Sequence, residues 1–237
     1  MQEHKQYDVV FIDLDDTLYD FTTNSLSAYR EVYDFMGYDR WFNNFEHYYD
    51  IYWEHNRQLW ELYADNKITK QQLNAERYTH PLRVMGVPDA EVIGASFWEE
   101  AMKRLPFGKK LMPHAHETLE YLKPRYRLYI LSNGFTELQA RKMQSSGIAH
   151  YFEGVVLSED IGVNKPHREI FEHALRVART TADKAVMIGD NYDVDIKGAQ
   201  SVGLDQIFYN VTGVAPSVED APPTYTIRSL LELKNII

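Results

Sequence analysis

Near the start of this 237-residue chain, residues 7–17 read YDVVFIDLDDT. Val9 to Ile12 are β-branched or aromatic and follow one another without a polar break. That is the pattern of a short, buried β-strand. Three acids, Asp13, Asp15 and Asp16, come directly after it. The pattern returns in the second half as RLYILS (127–132), GVVLS (154–158), AVMIGD (185–190) and QIFYN (206–210). Helical stretches are predicted between these runs, near 113–123, 135–146, 167–178 and 193–202. Alternating strands and helices specify a parallel sheet covered on both faces, a three-layer Rossmann-like α/β core. Residues 215–223 (APSVEDAPP) read as a surface loop before a last short strand and helix.

Between the first two strands the character changes. Residues from about 20 to 105 carry helical periodicity and no good strand. Leu26, Tyr29, Tyr33 and Met36 fall at helical spacing after the N-cap candidates Thr22 and Thr23, and Gly37 is a stop signal. The expected organisation is a core of 1–18 and 107–237 with an inserted all-helical cap of 19–106. Hinges are expected near Tyr19–Asp20 and Pro106–Gly108, letting the cap close over substrate. Trp41, Phe42, Phe45, Tyr48, Tyr49, Tyr52 and Trp53 recur at helical spacing within the cap. Most are expected to pack its own core, with one or two free to stack on a base.

Composition narrows the function. A formal net charge of -10 argues against a nucleic-acid polymer as partner, because such binding needs a basic surface. The absence of cysteine excludes disulfides, thiolate catalysis and zinc–thiolate sites. The N-terminal apolar run is too short for a signal peptide or a membrane span, so a cytoplasmic enzyme is expected. Oligomeric state stays open.

Four groups of residues stand at or just after strand ends: Asp13-Leu14-Asp15-Asp16-Thr17, Ser132-Asn133-Gly134, Lys165-Pro166, and Gly189-Asp190-Asn191 with Asp195 beyond. In an open parallel sheet ligands bind outside the carboxyl ends of the strands, so these groups are expected to converge. Together they suit phosphoryl transfer. A carboxylate such as Asp13 can attack phosphorus and form an acyl-phosphate. A phosphate dianion repels that carboxylate, so a cation must stand between them, and Mg2+ suits oxygen ligands. Asp13 and Asp190 can supply carboxylates, and Asp15 its main-chain carbonyl. The Asp15 side chain can protonate the leaving alkoxide and later take a proton from water. The Ser132 hydroxyl and the backbone N–H groups at 133–134 are candidate phosphate donors, with Gly134 allowing close approach. Lys165 can neutralise both the phosphoryl oxygens and Asp13, and Pro166 is expected to open the next helix.

DLDDTLYD, ILSNGF, GVNKPHREIFEHAL and MIGDNYDVDIKGA resemble, in order and spacing, the four motifs of the haloacid dehalogenase superfamily of hydrolases. The resemblance covers nearly the whole chain. It implies Asp13 as nucleophile, Asp15 as acid/base, Thr17 and Ser132 at the phosphate beside the donors read at Asn133, Lys165 as charge stabiliser at the phosphate, and Asp190 as metal ligand. It also implies that Asp195 supports Lys165 or the metal's surroundings, and that the insertion is the helical cap of subclass I. SNGFTELQARKMQSSGIAHYF and NRQLWELYADNKITKQQLNAERY look like the pyrimidine 5'-nucleotidase branch. The dehalogenases that name the superfamily lack an acid at the Asp15 position, so its presence favours phosphate chemistry. Asn164 departs from the small residues common before the motif lysine. His114 and His116 read as helix-start residues and Asp16 as structural. The expected activity is magnesium-dependent hydrolysis of a small phosphate monoester, foremost a nucleoside 5'-monophosphate. Sugar-phosphate or phosphoglycolate-type phosphatases, a phosphomutase and a non-catalytic binding module stay as alternatives.

Overall fold

The computed structural model describes residues 6–214, 216–217 and 220–237. The chain divides into two compact units. One runs to Phe21 and resumes at Lys109; the other is Thr22–Gly108. Three residues of the 215–223 loop reading (215, 218 and 219) lie outside the described residues.

The first unit is built on six parallel strands: β1 (Val9–Ile12), β2 (Arg127–Ser132), β3 (Gly154–Leu157), β4 (Ala185–Gly189), β5 (Asp205–Tyr209) and β6 (Tyr225–Ile227). Their spatial order is β3-β2-β1-β4-β5-β6, and every neighbouring pair is parallel. Successive side chains on a strand point to opposite faces. Val10 and Ile12 join Leu128, Ile130, Val186, Ile188 and Ile207 in one apolar layer with Ala115, Leu119 and Leu122. Val9 and Phe11 join Tyr129, Leu131, Ala185 and Met187 in the opposite layer with Ile170, Phe171 and Ala174. The helices supplying those contacts are α5 (Ala115–Leu122) and α7 (Arg168–Val177). An unbroken apolar strand is what this double burial requires, as all four β1 residues are buried.

The second unit contains α1 (Phe21–Phe35, whose first residue belongs to the other unit), α2 (Phe45–Ala64), α3 (Lys70–Val84) and α4 (Ala90–Met102), and no strand among its described residues. The Asn44 side chain caps α2 by accepting from the His47 N–H, and Thr69 with Gln72 forms a capping box on α3. Tyr29, Tyr33, Tyr38, Phe42, Phe45, Tyr48, Tyr52, Tyr78 and Phe97 make the core of this unit. Phe42, Phe45, Tyr48 and Tyr52 thus follow the packing reading. Trp53 is 43% exposed.

Local readings needed correction in three places. Helix α1 begins at Phe21, so Thr22 and Thr23 lie in its first turn rather than capping it. Pro166 precedes His167, the N-cap of α7, so it does not open that helix. The helix expected at 193–202 is a π turn (Tyr192–Ile196) followed by α8 (Lys197–Ser201).

Candidate active site

Strand β1 lies between β2 and β4, where the strand order reverses direction. Crevices at such switch points take ligands at the carboxyl ends of the strands. Asp13 follows β1, Ser132 ends β2, and Asp190 follows β4. The Asp13 N–H donates to the Ile188 carbonyl at 2.9 Å, so the β1–β4 ladder extends to Asp13 and fixes its backbone.

Lys165 reaches this point from the loop before α7. Its Nζ donates to Asp13 Oδ1 (2.6 Å), Asp195 Oδ1 (2.6 Å) and the Leu131 carbonyl (2.8 Å). An ammonium has three protons, and all three are engaged by the protein. The sequence reading gave Lys165 to both Asp13 and the phosphoryl group; here its contacts are two carboxylates and a carbonyl. Burial alone would lower its pKa, but Asp13 and Asp195 outweigh burial and the net shift is upward. Asp195 stands on the π turn, which brings its side chain under the end of β4. A Cβ on Gly189 would lie 2.4 Å from the Asp195 carboxyl carbon, so only glycine leaves room for it. The other Asp195 oxygen accepts from the Asn191 N–H at 3.1 Å.

Asp190 completes the acidic group. Its Oδ1 accepts from the hydroxyl of Thr17, which the resemblance placed at the phosphate, at 2.9 Å. Asp13, Asp190 and Asp195 each offer a carboxylate oxygen, all within 4.8 Å of one another. Burial pushes the Asp13 carboxyl well above its usual range against the pull of Lys165. Burial, then the charge of Asp195, push Asp190 up to about 7, against the Thr17 hydrogen bond. Three carboxylates thus cluster beside one ammonium, which pairs with only two of them, Asp13 and Asp195. Such a set lacks positive charge, and its all-oxygen donors fit a hard divalent cation. Both Asp195 oxygens are engaged by Lys165 and Asn191, whereas Asp13 and Asp190 could each offer one to such an ion.

At the end of β2, Ser132 Oγ accepts from the Gly134 N–H (3.0 Å) and from Gln139 Nε2 (2.8 Å). Its lone pairs are filled, and its own O–H proton is left to donate. Gly134's N–H, read from sequence as a phosphate donor, is turned onto Ser132 instead. The Asn133 side chain clamps the Lys165 main chain: Nδ2 donates to the Lys165 carbonyl (2.9 Å), and Oδ1 accepts from the Lys165 N–H (2.8 Å). This ties the second motif to the third and sets where the lysine side chain starts. The sequence reading gave the phosphate the backbone N–H at Asn133; its side chain holds Lys165.

Asp15 is met by two residues that sequence reasoning missed. Lys142 Nζ donates to both Asp15 oxygens, at 2.7 and 3.0 Å. Gln139 Nε2 donates to Asp15 Oδ2 at 2.9 Å. Both stand on α6 (Thr136–Ser145), whose buried residues are Leu138, Gln139, Lys142 and Met143. A sequence signal existed: Leu138 and Met143 define the inward face of an amphipathic helix, and a lysine and a glutamine interrupt it. Asp16, by contrast, takes a left-handed backbone (φ 58°), and its N–H donates to the Tyr19 carbonyl. His114 N-caps α5, as expected of a helix-start residue.

Comparison with known proteins gives the same picture. The family model described as haloacid dehalogenase-like hydrolase matches residues 7–203. The HAD-hydrolase YfnB of Bacillus subtilis is 30% identical over 234 residues, 98% of this chain and 96% of that protein. A crystal structure of YfnB bound to magnesium superposes with a TM-score of 0.85 at 28% identity, covering 98% of this chain and 99% of that one. Pyrimidine 5'-nucleotidase YjjG of Escherichia coli is 29% identical, with 98% of each chain covered. Pyrimidine 5'-nucleotidase PynA of Streptococcus pneumoniae is 30% identical, with 98% of this chain and 97% of that protein covered. With matched motifs spread from the first strand to the fourth, and whole-length relatives alongside, this chain belongs to the haloacid dehalogenase-like hydrolases.

Proposed function

We propose that this protein is a magnesium-dependent phosphatase that hydrolyses nucleoside 5'-monophosphates, pyrimidine ones foremost, through an aspartyl-phosphate on Asp13. The observation that carries the phosphatase reading is Asp15. It places a second carboxylate, fixed by Lys142 and Gln139, beside a nucleophile candidate paired with Lys165. Ester hydrolysis needs such a group twice, and halide displacement does not need its acid role.

In the first half-reaction an Asp13 oxygen bonds to phosphorus and the ester P–O bond breaks. The leaving alkoxide takes a proton from Asp15. In the second, water attacks phosphorus and gives a proton back to Asp15, and the Asp13–phosphorus bond breaks to release inorganic phosphate. The Ser132 hydroxyl, with its proton uncommitted, suits a phosphoryl oxygen. Lys165 favours the ionised, attacking form of Asp13 against the burial that disfavours it. Magnesium, held by Asp13 and Asp190, would supply the positive charge that lets a phosphate dianion approach Asp13.

The substrate class is supported by the whole-length relatives named as pyrimidine 5'-nucleotidases, YjjG and PynA. The test is a panel of phosphate monoesters assayed with magnesium. Thymidine and uridine monophosphates are expected to turn over at least about tenfold more efficiently than sugar phosphates, a discrimination that base contacts readily supply. Equal or greater efficiency on sugar phosphates would end the nucleotidase reading.

A further inference from the structure

Lys142 has a burial that ordinary surface chemistry does not explain. Its side chain is 3% exposed, and it stands 127 residues along the chain from the carboxylate it meets. Burying an ammonium costs several kcal/mol unless its partners restore what water supplied. Here the restoring partner is Asp15, contacted through both oxygens. The ammonium also lies 4.5 Å from the Phe21 ring centroid and 5.5 Å from that of Tyr19. These faces attract a cation and wall it off from solvent.

Gln139 adds an independent observation. Its Nε2 serves Asp15 and Ser132 at once, while its Oε1 is buried without a hydrogen-bond partner. A buried unsatisfied carbonyl costs about 1–3 kcal/mol. Turning the amide over would set that oxygen against the Asp15 carboxylate. The orphan oxygen is therefore the consequence of pointing both N–H groups at the site. Gly134 makes room for it: a Cβ there would fall 1.9 Å from Gln139 Nε2.

We propose that Lys142 and Gln139 are positioning residues for the reaction, fixing the Asp15 carboxylate and tying it to Ser132. Asp15 bridges Tyr19 at the start of a turn, with its side chain 27% exposed, where an aspartate would otherwise sample several rotamers. Two donor groups, one of them charged, select one of them. The pair acts through Asp15 and need not touch substrate. This inference rests on the acid/base reading of Asp15.

The experiment compares kcat/KM on an alkyl phosphate, whose leaving group needs a proton, with p-nitrophenyl phosphate, whose leaving group does not. Because kcat/KM reports steps through leaving-group departure, it isolates the acid role. Lys142→Met is expected to cut kcat/KM on the alkyl ester by roughly 10- to 100-fold and on the aryl ester far less, since general acid catalysis contributes about 100- to 10,000-fold. The alkyl-ester loss should lie in kcat, with KM within about twofold, the mark of an interaction made in the transition state. Lys142→Arg should recover most of the loss. Gln139→Met, in which the lysine remains, should show the same alkyl-over-aryl bias more weakly, and it serves if Lys142→Met does not fold. Equal losses on both esters, or no loss from either variant, would overturn the proposal. Asp15→Asn is measured alongside. If it spares the alkyl ester, the acid/base reading itself fails; if it abolishes turnover while Lys142→Met and Gln139→Met do not bias it, only the positioning role fails.

Discussion

Lys165 and Asp13, 152 positions apart in sequence, meet through an Nζ–Oδ1 contact of 2.6 Å at the carboxyl end of the central strand. Their side chains are only 2% and 11% exposed. The lysine is at once an electrostatic partner for the nucleophile candidate and a structural cross-link from β1 to the loop before α7.

Replacing Lys165 by Met removes the one ammonium shared by Asp13 and Asp195. Breaking a buried ion pair by deleting one partner costs about 3–5 kcal/mol. Urea unfolding of Lys165→Met should show a loss of that order together with loss of turnover. A loss below about 1 kcal/mol would mean that the pair is not buried as described.

Thr17→Val deletes the hydroxyl that donates to Asp190. A hydrogen bond to a charged group contributes about 1.5–3 kcal/mol, so the ionised carboxylate should become harder to maintain. The magnesium concentration giving half-maximal activity is expected to rise roughly tenfold, in line with that loss. An unchanged magnesium requirement would separate Thr17 from the metal site.

Asp190 also sets a pH dependence. Its carboxyl is pushed from an ordinary 3.8 to about 7 in the fold. Between those values the unfolded chain has released a proton that the metal-free fold retains. Rising pH therefore favours unfolding, and this group's contribution, present near pH 4, is lost by about pH 7. Magnesium binds the ionised carboxylate, so the Tm gain it confers should grow from pH 5 to about pH 7.5, as the shifted pKa demands. Asp190→Asn should flatten that trend. An equal magnesium-induced Tm gain at both pH values in the unsubstituted protein would contradict it.

Gly134→Ala places a methyl group against the Gln139 amide. The amide must move, and overpacking of this kind costs about 1–3 kcal/mol. The variant should lose turnover on alkyl esters as the Gln139 variant does, because Gln139 links Asp15 to Ser132. Turnover and Tm equal to those of the unsubstituted protein would show that the amide is not held there.

Much of the core was legible because its signals are local. Val9 to Ile12 and Ala185 to Gly189 are apolar without interruption, as strands buried on two faces must be. Parallel strands bring their carboxyl ends to one edge, so Asp13, Ser132 and Asp190 converge whatever the sequence distance between them. What was not legible depends on tertiary rotation and on the destinations of single protons. Lys142 meets Asp15 only because α6 turns that face toward β1. Thr17's proton goes to Asp190, Gly134's N–H to Ser132, and the Asn133 side chain to the Lys165 backbone. Each is a choice among partners that spacing alone leaves equal. Likewise, Tyr48 and Tyr52 could have been surface or core by spacing, and burial made them core.

The central claim is that Asp13 carries the phosphoryl group. Its most direct test is mass spectrometry of the protein quenched in acid during turnover of a phosphate monoester with magnesium. The account predicts a phosphoryl adduct on the peptide containing Asp13, and neither adduct nor turnover in Asp13→Asn. Turnover that persists in Asp13→Asn, or an adduct on a peptide lacking Asp13, would contradict it.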